Sequence, residues 1–247
     1  AGNNPITFNA LADGNYNCTV SVTNNSNTSS ALSVTPFTID TIAPTLSTVT
    51  IRSNNSADTT KAKVGHKIIL SITSAEATQS YSVSIAGQTA QVTGSGTSWE
   101  ATYTMTSSYS EGTVSFSIAF SDLSDNTGDN VTITTDSSAV LFDKTAPSLS
   151  QVTAVTSITG DTTPDYTFNS NEAGTITVGG ACNSSKTNAS AGDNLITFGT
   201  TSALSGGTYS NCTIKVKDSA NNASNLLSVS SFTIDTTPPT LSEVTAV

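Results

Sequence analysis

The sequence has few charged and few aromatic residues. Charged residues make up 11% of the 247 and aromatic residues 6%, with one His, one Trp and one Met. The single histidine, His66, has no second His to form a zinc site or a catalytic pair, and in "VGHKII" it is interpreted as a turn residue before a strand. No run reaches the ~20 apolar residues of a membrane span. These absences argue against an enzyme and against a segment inserted in a membrane.

Basic residues are also scarce. The net charge of −10 argues against nucleic acid and anionic membranes as partners, and it is compatible with bound cations. The glycine-containing stretch "TGSGTS" (93–98) lacks the Lys and helix of a phosphate-binding loop and predicts a hairpin turn. The opening "AGNNPITF" lacks the Met, basic residues and apolar core of a signal peptide. We therefore expect the sequence to come from the interior of a longer protein.

One phrase occurs three times. "FTIDTIAPTLSTVT" (37–50) returns as "LFDKTAPSLSQVTAV" (141–155) and as "FTIDTTPPTLSEVTAV" (232–247). The aspartates of the phrase, Asp40, Asp143 and Asp235, are 103 and 92 residues apart. This spacing is about the length of an immunoglobulin-type β-sandwich, so the chain is predicted to be a tandem array.

The repeats define the domain boundaries. Residues 44–143 and 147–235 are predicted to be two complete immunoglobulin-like domains, and 239–247 the first strand of a further one. Residues 1–40 match the sequence that begins "AGDNLITF" at 191, so they are predicted to be the C-terminal part of an incomplete domain. A continuing parent chain is the favoured source of the missing part, and another chain is the alternative.

Alternating apolar residues predict strands throughout, and no segment has a 3.6-residue period. The predicted strands are 45–52, 66–73, 81–87, 89–94, 99–105, 113–120, 131–135 and 139–142, then 149–155, 165–171, 175–180, 194–199, 212–217 and 226–234. Gly, Asn, Asp and Ser lie between them, as in turns. The fold class is therefore all-β, as tandem immunoglobulin-like sandwiches. Short linkers that contain proline favour their arrangement as an extended rod.

The cysteine positions predict one disulfide. Cys182 lies at the end of the predicted strand 175–180 and Cys212 begins the predicted strand 212–217, and these strands are antiparallel neighbours in an immunoglobulin-like order. A Cys182–Cys212 disulfide would place the chain outside the reducing cytosol, and two reduced buried thiols are the alternative. Cys18 aligns with Cys212, so its partner would be the equivalent of Cys182.

Acidic residues are concentrated in loops that this order places at one end of each domain. The candidate ligands of a metal ion are Asp40, Glu76, Asp122 and Asp125 for the first complete domain, and Asp143, Glu172, Asp218 and Asn221 for the second. Converging carboxylates repel one another unless a cation neutralises them, and Ca²⁺ binds such oxygen ligands. The sequence therefore predicts calcium at each junction. The alternative is a set of solvated carboxylates that cap turns.

The chain resembles the tandem bacterial immunoglobulin-like repeats of large secreted surface proteins and adhesins. The resemblance rests on "FTIDTTPPTLSEV" at the boundary and on "NCTIKVKDSANNASNLLSVSSFTIDT" in the last strands, and it covers essentially the whole chain. The loops depart from the commoner "DAAGN" pattern, with Asn222 in place of the usual Gly and a shifted turn at Asp125–Asn126. The resemblance implies extracellular stalks, fibres and adhesion, with calcium between domains in several members.

The sequence thus favours a structural segment of an extracellular or cell-surface stalk, fibre or adhesin. Its expected partners are neighbouring repeats of the same protein and other copies in a fibre. The alternative is a binding module that contacts a glycan, a surface or neighbouring fibres through loops or strand faces. Trp99 and Tyr103 alternate on one strand, where core packing is favoured over a sugar-stacking surface.

Overall fold

The computed structural model describes residues 4–242 of the chain, and every element assigned in this range is a β-strand. The predicted all-β class is confirmed. None of the described residues belongs to a helix with the length and apolar character required to cross a membrane. Spatial contacts divide the chain into two compact units. Unit 1 comprises the described residues up to Ile51, Ile69–Tyr103 and Val114–Ala139, and unit 2 comprises Arg52–Ile68, Thr104–Thr113 and the described residues from Val140. The domain boundaries inferred from the repeats stay a prediction.

Short antiparallel strands form the first part of unit 1. They are β1 (Gly14–Tyr16), β2 (Thr19–Val20), β3 (Thr23–Asn24), β4 (Asn27–Thr28), β5 (Leu32–Ser33) and β6 (Phe37–Ile39). They pair as β1 with β6, β2 with β5, and β3 with β4. Asn25 connects β3 to β4 with a φ of 44°, a left-handed conformation that Asn tolerates better than most residues.

Longer strands build the rest of unit 1. They are β7 (Leu46–Ser53), β9 (Lys67–Ser74), β10 (Thr78–Ile85), β11 (Gln88–Thr89), β12 (Gln91–Ser95), β13 (Ser98–Thr104) and β15 (Phe116–Asp122). One sheet has the order β12-β13-β9-β7 and the other β11-β10-β15. Alternate side chains of β9, β10 and β15 are buried, among them Leu70, Val83 and Ile118. This is the period of two expected of strands with one face on a core.

Unit 2 contains four sheets. The strands not yet given are β8 (Lys61–Ala62), β14 (Gly112–Thr113), β16 (Leu141–Phe142), β17 (Leu149–Thr153), β18 (Ile158–Thr159), β19 (Asp165–Ser170), β20 (Gly174–Gly179), β21 (Asn188–Ala189), β22 (Gly192–Thr197), β23 (Gly207–Tyr209), β24 (Thr213–Lys217), β25 (Leu227–Ser228) and β26 (Phe232–Ile234). The sheet orders are β14-β16-β8, β17-β19-β22, β18-β26-β23 and β21-β20-β24-β25. Two of the pairings are parallel, β8 with β16 and β18 with β26.

One apolar cluster joins two facing sheets of unit 2. Phe168 of β19 and Ile196 of β22 belong to the same buried cluster as Ile176 of β20 and Val216 of β24. The inner faces of two sheets therefore pack on one another, as in an immunoglobulin-like sandwich.

The predicted disulfide is confirmed. Cys182 and Cys212 are bonded, with their Cα atoms 5.3 Å apart. Strand β20 ends and β24 begins beside them, and the two strands pair antiparallel with Gly179 opposite Thr213. Cys18 has a free thiol.

Several of the expected strands are absent or interrupted. Residues 131–135 form no strand and contribute only a bridge between Val131 and Ile118. Thr135 holds this segment to Val49 instead: its backbone N–H donates to the Val49 carbonyl at 2.8 Å, and its hydroxyl accepts from the Val49 N–H at 3.0 Å. Three other expected strands are each divided in two: 89–94 into β11 and β12, 113–120 into β14 and β15, and 226–234 into β25 and β26. The strand predicted at 239–247 lies partly outside the described residues, and 239–242 form no strand.

Candidate metal centres

Three carboxylates converge in unit 1. Asp40 follows β6, Glu76 lies between β9 and β10, and Asp122 ends β15. One carboxylate oxygen of each lies within 4.8 Å of the other two. Asp122 is buried, and Asp40 and Glu76 are half-buried. We refer to these three residues as triad 1.

Unit 2 contains a matching group. Asp143 follows β16, Glu172 lies between β19 and β20, and Asp218 follows β24. Their carboxylate oxygens also lie within 4.8 Å of one another, again with the third residue buried. We refer to these residues as triad 2. The convergence inferred from the repeats therefore occurs twice, with one linker residue and two loop residues in each case.

A serine two residues earlier shapes each glutamate loop. The Ser74 hydroxyl donates to the Glu76 carbonyl at 2.5 Å, and the Ser170 hydroxyl donates to the Glu172 carbonyl at 2.6 Å. The local sequences, S-A-E and S-N-E, differ only at the middle residue. The short turn places the glutamate beside the linker in both units.

The buried aspartates organise the third loop. Asp122 Oδ1 accepts from the backbone N–H groups of Ser124 at 2.7 Å and Asn126 at 2.9 Å. Asp218 Oδ1 accepts from the Asn222 N–H at 2.8 Å. The buried charge is thus stabilised by backbone donors, as a buried carboxylate requires.

Two asparagines connect these loops to the linkers. Asn126 Nδ2 donates to Asp122 Oδ2 at 2.8 Å and to the Asp40 carbonyl at 3.1 Å. Asn222 Nδ2 makes the same pair of bonds, to Asp218 Oδ2 at 2.9 Å and to the Asp143 carbonyl at 3.0 Å. Neither asparagine was among the predicted site residues. The signal was present as a shared D-x-x-x-N spacing in "DLSDN" and "DSANN".

Two predicted ligands are not brought into the triads. Asp125 accepts from Gln79 Nε2 at 2.8 Å through its Oδ1. Asn221 donates from Nδ2 to Asn55 Oδ1, and its carbonyl accepts from Lys63 Nζ at 2.6 Å. Both residues have a positive φ, 67° and 73°, which Asp and Asn tolerate better than most residues. Asp125 and Asn221 therefore form the turn that brings the next residue, Asn126 or Asn222, back to the buried aspartate.

In triad 2, burial and closely spaced carboxylates raise the pKa values of Asp143 and Glu172. Burial raises the pKa of Asp143, and the negative charges of Asp218 and Glu111 raise it further, against the hydrogen bond from Thr145 N–H. Burial also raises the pKa of Glu172, as do the charges of Asp143 and Asp218. In triad 1, burial acts to raise the pKa of Asp122, but hydrogen bonds from Asn126 and Ser124 together hold it below its ordinary value.

The donor set fits a hard divalent cation. Each triad offers three carboxylates from three separate chain segments, and Ca²⁺ prefers six to eight oxygen ligands at 2.3–2.6 Å in flexible geometry. No histidine or cysteine belongs to either group, so the donor chemistry does not match a zinc site.

The remaining predicted residues lie elsewhere. His66 Nδ1 accepts from the Lys63 N–H at 3.3 Å, and burial and the Lys63 charge lower its pKa. The Trp99 ring lies 4.8 Å from the Tyr81 ring, and its Nε1 donates to the Gly96 carbonyl at 3.1 Å. Trp99 is therefore a packing residue at the end of its sheet.

Comparisons with known proteins give weak likenesses. No protein-family model and no curated protein matches the chain. It is similar to the solved Clostridium thermocellum CbhA fibronectin(III)-like modules, with 12% identity and a TM-score of 0.40, over 74% of this chain and 93% of that chain. It is also similar to Bacteroides ovatus SGBP-B in complex with a mixed-linkage heptasaccharide, with 16% identity and a TM-score of 0.23, over 91% of this chain and 53% of that chain. Neither likeness is strong enough to define a family or a ligand.

Proposed function

We propose that this chain is a structural segment of a long extracellular protein, a stalk, fibre or adhesin of the bacterial immunoglobulin-like repeat type. The observation that carries the proposal is the duplication of the whole junction. Linker aspartate, glutamate loop, buried aspartate and bridging asparagine occur together at Asp40 and again at Asp143. When successive domains have the same linker and the same loops around it, each domain can stack on the next in the same way.

We propose that each triad holds one calcium ion. Asp40, Glu76 and Asp122 would ligate the first, and Asp143, Glu172 and Asp218 the second. The bound ion supplies positive charge that offsets the repulsion among the carboxylates. The triad residues in turn connect the linker to two loops, so ion binding stiffens the linker against bending and gives the array the form of a rod.

The cysteine chemistry supports the proposed extracellular location. The Cys182–Cys212 bond is of a kind that persists in oxidising compartments and is rare in the cytosol. An extracellular or cell-surface position is compatible with this bond. It is also compatible with calcium sites of the millimolar affinity that extracellular modules have.

Calcium titration of the full chain tests the ion sites. Calorimetry is expected to give two calcium ions per chain. The double variant Glu76→Gln, Glu172→Gln replaces one carboxylate of each triad with a neutral amide without truncating a buried residue, and it is expected to bind calcium about tenfold or more weakly. Asp129→Asn with Asp193→Asn removes the same number of charges from exposed positions and is the matched control. Equal loss in both variants would mean that the charge acts without specific ligation.

Small-angle scattering on the same samples tests the rod. Calcium is expected to lengthen or stiffen the wild-type particle and to leave the glutamine variant unchanged at the same concentration. Calcium binding without any change in the scattering would retain the ion sites and reject their role in a stiff stalk.

A further inference from the structure

Residues 14–39 repeat the strand pairings of 207–234. Tyr16 is opposite Phe37 as Tyr209 is opposite Phe232. Val20 is opposite Leu32 just as Ile214 is opposite Leu227 in unit 2. The two segments also share a backbone hydrogen bond. The Val34 N–H donates to the Cys18 carbonyl at 2.8 Å, and the Val229 N–H donates to the Cys212 carbonyl at 3.0 Å.

The aromatic contacts are duplicated too. The Tyr16 and Phe37 rings stack at 5.5 Å, and Tyr209 and Phe232 at 5.2 Å. The hydroxyls of the two tyrosines donate to the carbonyl four residues earlier, at 2.7 and 3.0 Å. The segment up to Ile39 therefore has the same local fold as the last strands of unit 2.

The corresponding side chains differ greatly in exposure. Ile6, Phe8 and Val22 are 57%, 44% and 70% exposed, whereas their counterparts in unit 2, Ile196, Phe198 and Val216, are all 0% exposed. A face made of core residues is thus left in solvent, which is the mark of an interaction surface.

Unit 2 identifies what covers this face. Strand β19 pairs with β22, β20 pairs with β24, and β18 pairs with β26, and Cys182 of the covering segment is bonded to Cys212. Within the described residues 4–40, the segment equivalent to β22 forms no strand, β2 pairs only with β5, and Cys18 is free. Every strand or bond that the N-terminal segment lacks is one that residues 147–190 provide in unit 2.

We propose that the uncovered face of residues 4–40 binds a β-segment with the pattern of residues 147–190, which completes a sandwich and bonds to Cys18. The pairing of β20 with β24, in which Val178 is opposite Ile214 and Ile176 opposite Val216, fixes the register. The residue that occupies the place of Val178 lies opposite Val20, and the one in the place of Ile176 lies opposite Val22. A cysteine four residues beyond the first of these reaches Cys18.

The test uses the full chain with a second copy of residues 147–190 fused ahead of Ala1. Because Ala191 is the counterpart of Ala1, the fusion has the natural spacing without a linker. A control fusion carries Ser at the added copies of Ile176 and Val178 and keeps the added cysteine. The readouts are free-thiol titration and hydrogen exchange, with residues 191–235 as an internal reference for folding.

The fusion is expected to have no free thiol, and amide exchange in 4–40 is expected to slow by about tenfold or more, toward the rates of 191–235. A Cys18→Ser version should keep most of the added protection without the bond.

Two free thiols with unchanged exchange would overturn the proposal, as would equal protection from the serine-bearing segment. A dimer of the unfused chain in which residues 4–40 are already protected would also overturn it. In each copy, residues 147–190 already pair with the later strands of unit 2, so a different surface of the second copy would then be the occupant. None of these readouts depends on calcium, so they are independent of the ion sites.

Discussion

At the scale of single residues, Asn126 and Asn222 determine how the junction loops are held. Each side-chain amide donates to a buried aspartate and to a linker carbonyl, 86 residues away for Asn126 and 79 for Asn222. An aspartate at either position could not donate these bonds, and a glycine would leave both acceptors without them. The asparagines therefore stabilise the linker in the absence of any ion.

Asn126→Ala is expected to destabilise unit 1 by about 1–3 kcal/mol, because the buried carboxylate of Asp122 and the Asp40 carbonyl lose a donor. Urea unfolding monitored by Trp99 fluorescence measures the change, since Trp99 lies in the same unit. The exposed residue Asn130 provides the control, and Asn130→Ala is expected to change stability by less than about 0.5 kcal/mol. Equal effects of the two substitutions would show that the bridge contributes nothing.

The raised pKa of Glu172 gives a prediction on pH. A carboxyl whose pKa is raised in the folded state contributes stability below its ordinary value of 4.5 and loses that contribution as the pH rises through the folded value. In the presence of EDTA, Glu172→Gln is therefore expected to raise the melting temperature at pH 7 by roughly 2–5 °C. Near pH 3 the two proteins should melt together. Thermal melts followed by circular dichroism between pH 3 and 7.5 measure this.

Asp58 provides the control of opposite sign, because its charge does not act on triad 2. Hydrogen bonds from the Thr60 hydroxyl and the Thr60 N–H lower the pKa of Asp58, so its contribution to stability is present at pH 7 and is lost as the pH falls. Asp58→Asn should therefore lower the melting temperature at pH 7. If Glu172→Gln and Asp58→Asn shift the melting temperature in the same direction, the two carboxyls do not differ in environment as described.

At the scale of the strand, the disulfide fixes the end of β20 to the start of β24. It closes a loop of 30 residues, for which chain entropy gives about 3–4 kcal/mol. The double variant Cys182→Ala, Cys212→Ala should lose about that much in urea unfolding of unit 2, while Cys18→Ala should lose little. The wild type under reducing conditions should match the double variant, and a stable reduced protein would contradict the prediction.

The elements that the sequence predicted are those with a strong local signal. Period-two alternation located β7, β9, β19 and β20, and the repeated aspartates located both triads. The two-residue strands β8 and β18 carry no such alternation, and they exist because a distant strand pairs with them. Residues 131–135 alternate but are held by Thr135, a long-range contact that no local pattern encodes. Asp125 and Asn221 were assigned from residue type and loop position, which do not show that each adopts the positive φ of a tight turn.

At the scale of the molecule, the parallel pairs bear on mechanical strength. In unit 2, β18 pairs with β26 near the end of the unit, and the Thr233 and Asp235 N–H groups donate to the Ser157 and Thr159 carbonyls at 2.9 and 2.8 Å. The same arrangement joins β8 to β16. A force along the chain loads the bonds of a parallel pair together, whereas an antiparallel hairpin opens one bond at a time. The parallel pairs β8–β16 and β18–β26 are therefore expected to resist tension along the chain.

Pulling single molecules of the full chain tests this role. The variant Asp235→Pro removes the N–H that donates to Thr159 but no core side chain, and Asp235→Ala keeps that N–H and is the matched control. Loss of one bond of about 1 kcal/mol should speed forced unfolding of unit 2 about fivefold in the proline variant alone. The unit 2 event is recognised by its length, because reduction of the disulfide releases 30 residues, or about 100 Å of extended chain. If the proline and alanine variants unfold at the same rate under load, the parallel pair carries none of the force, and the mechanical role must lie in other strands.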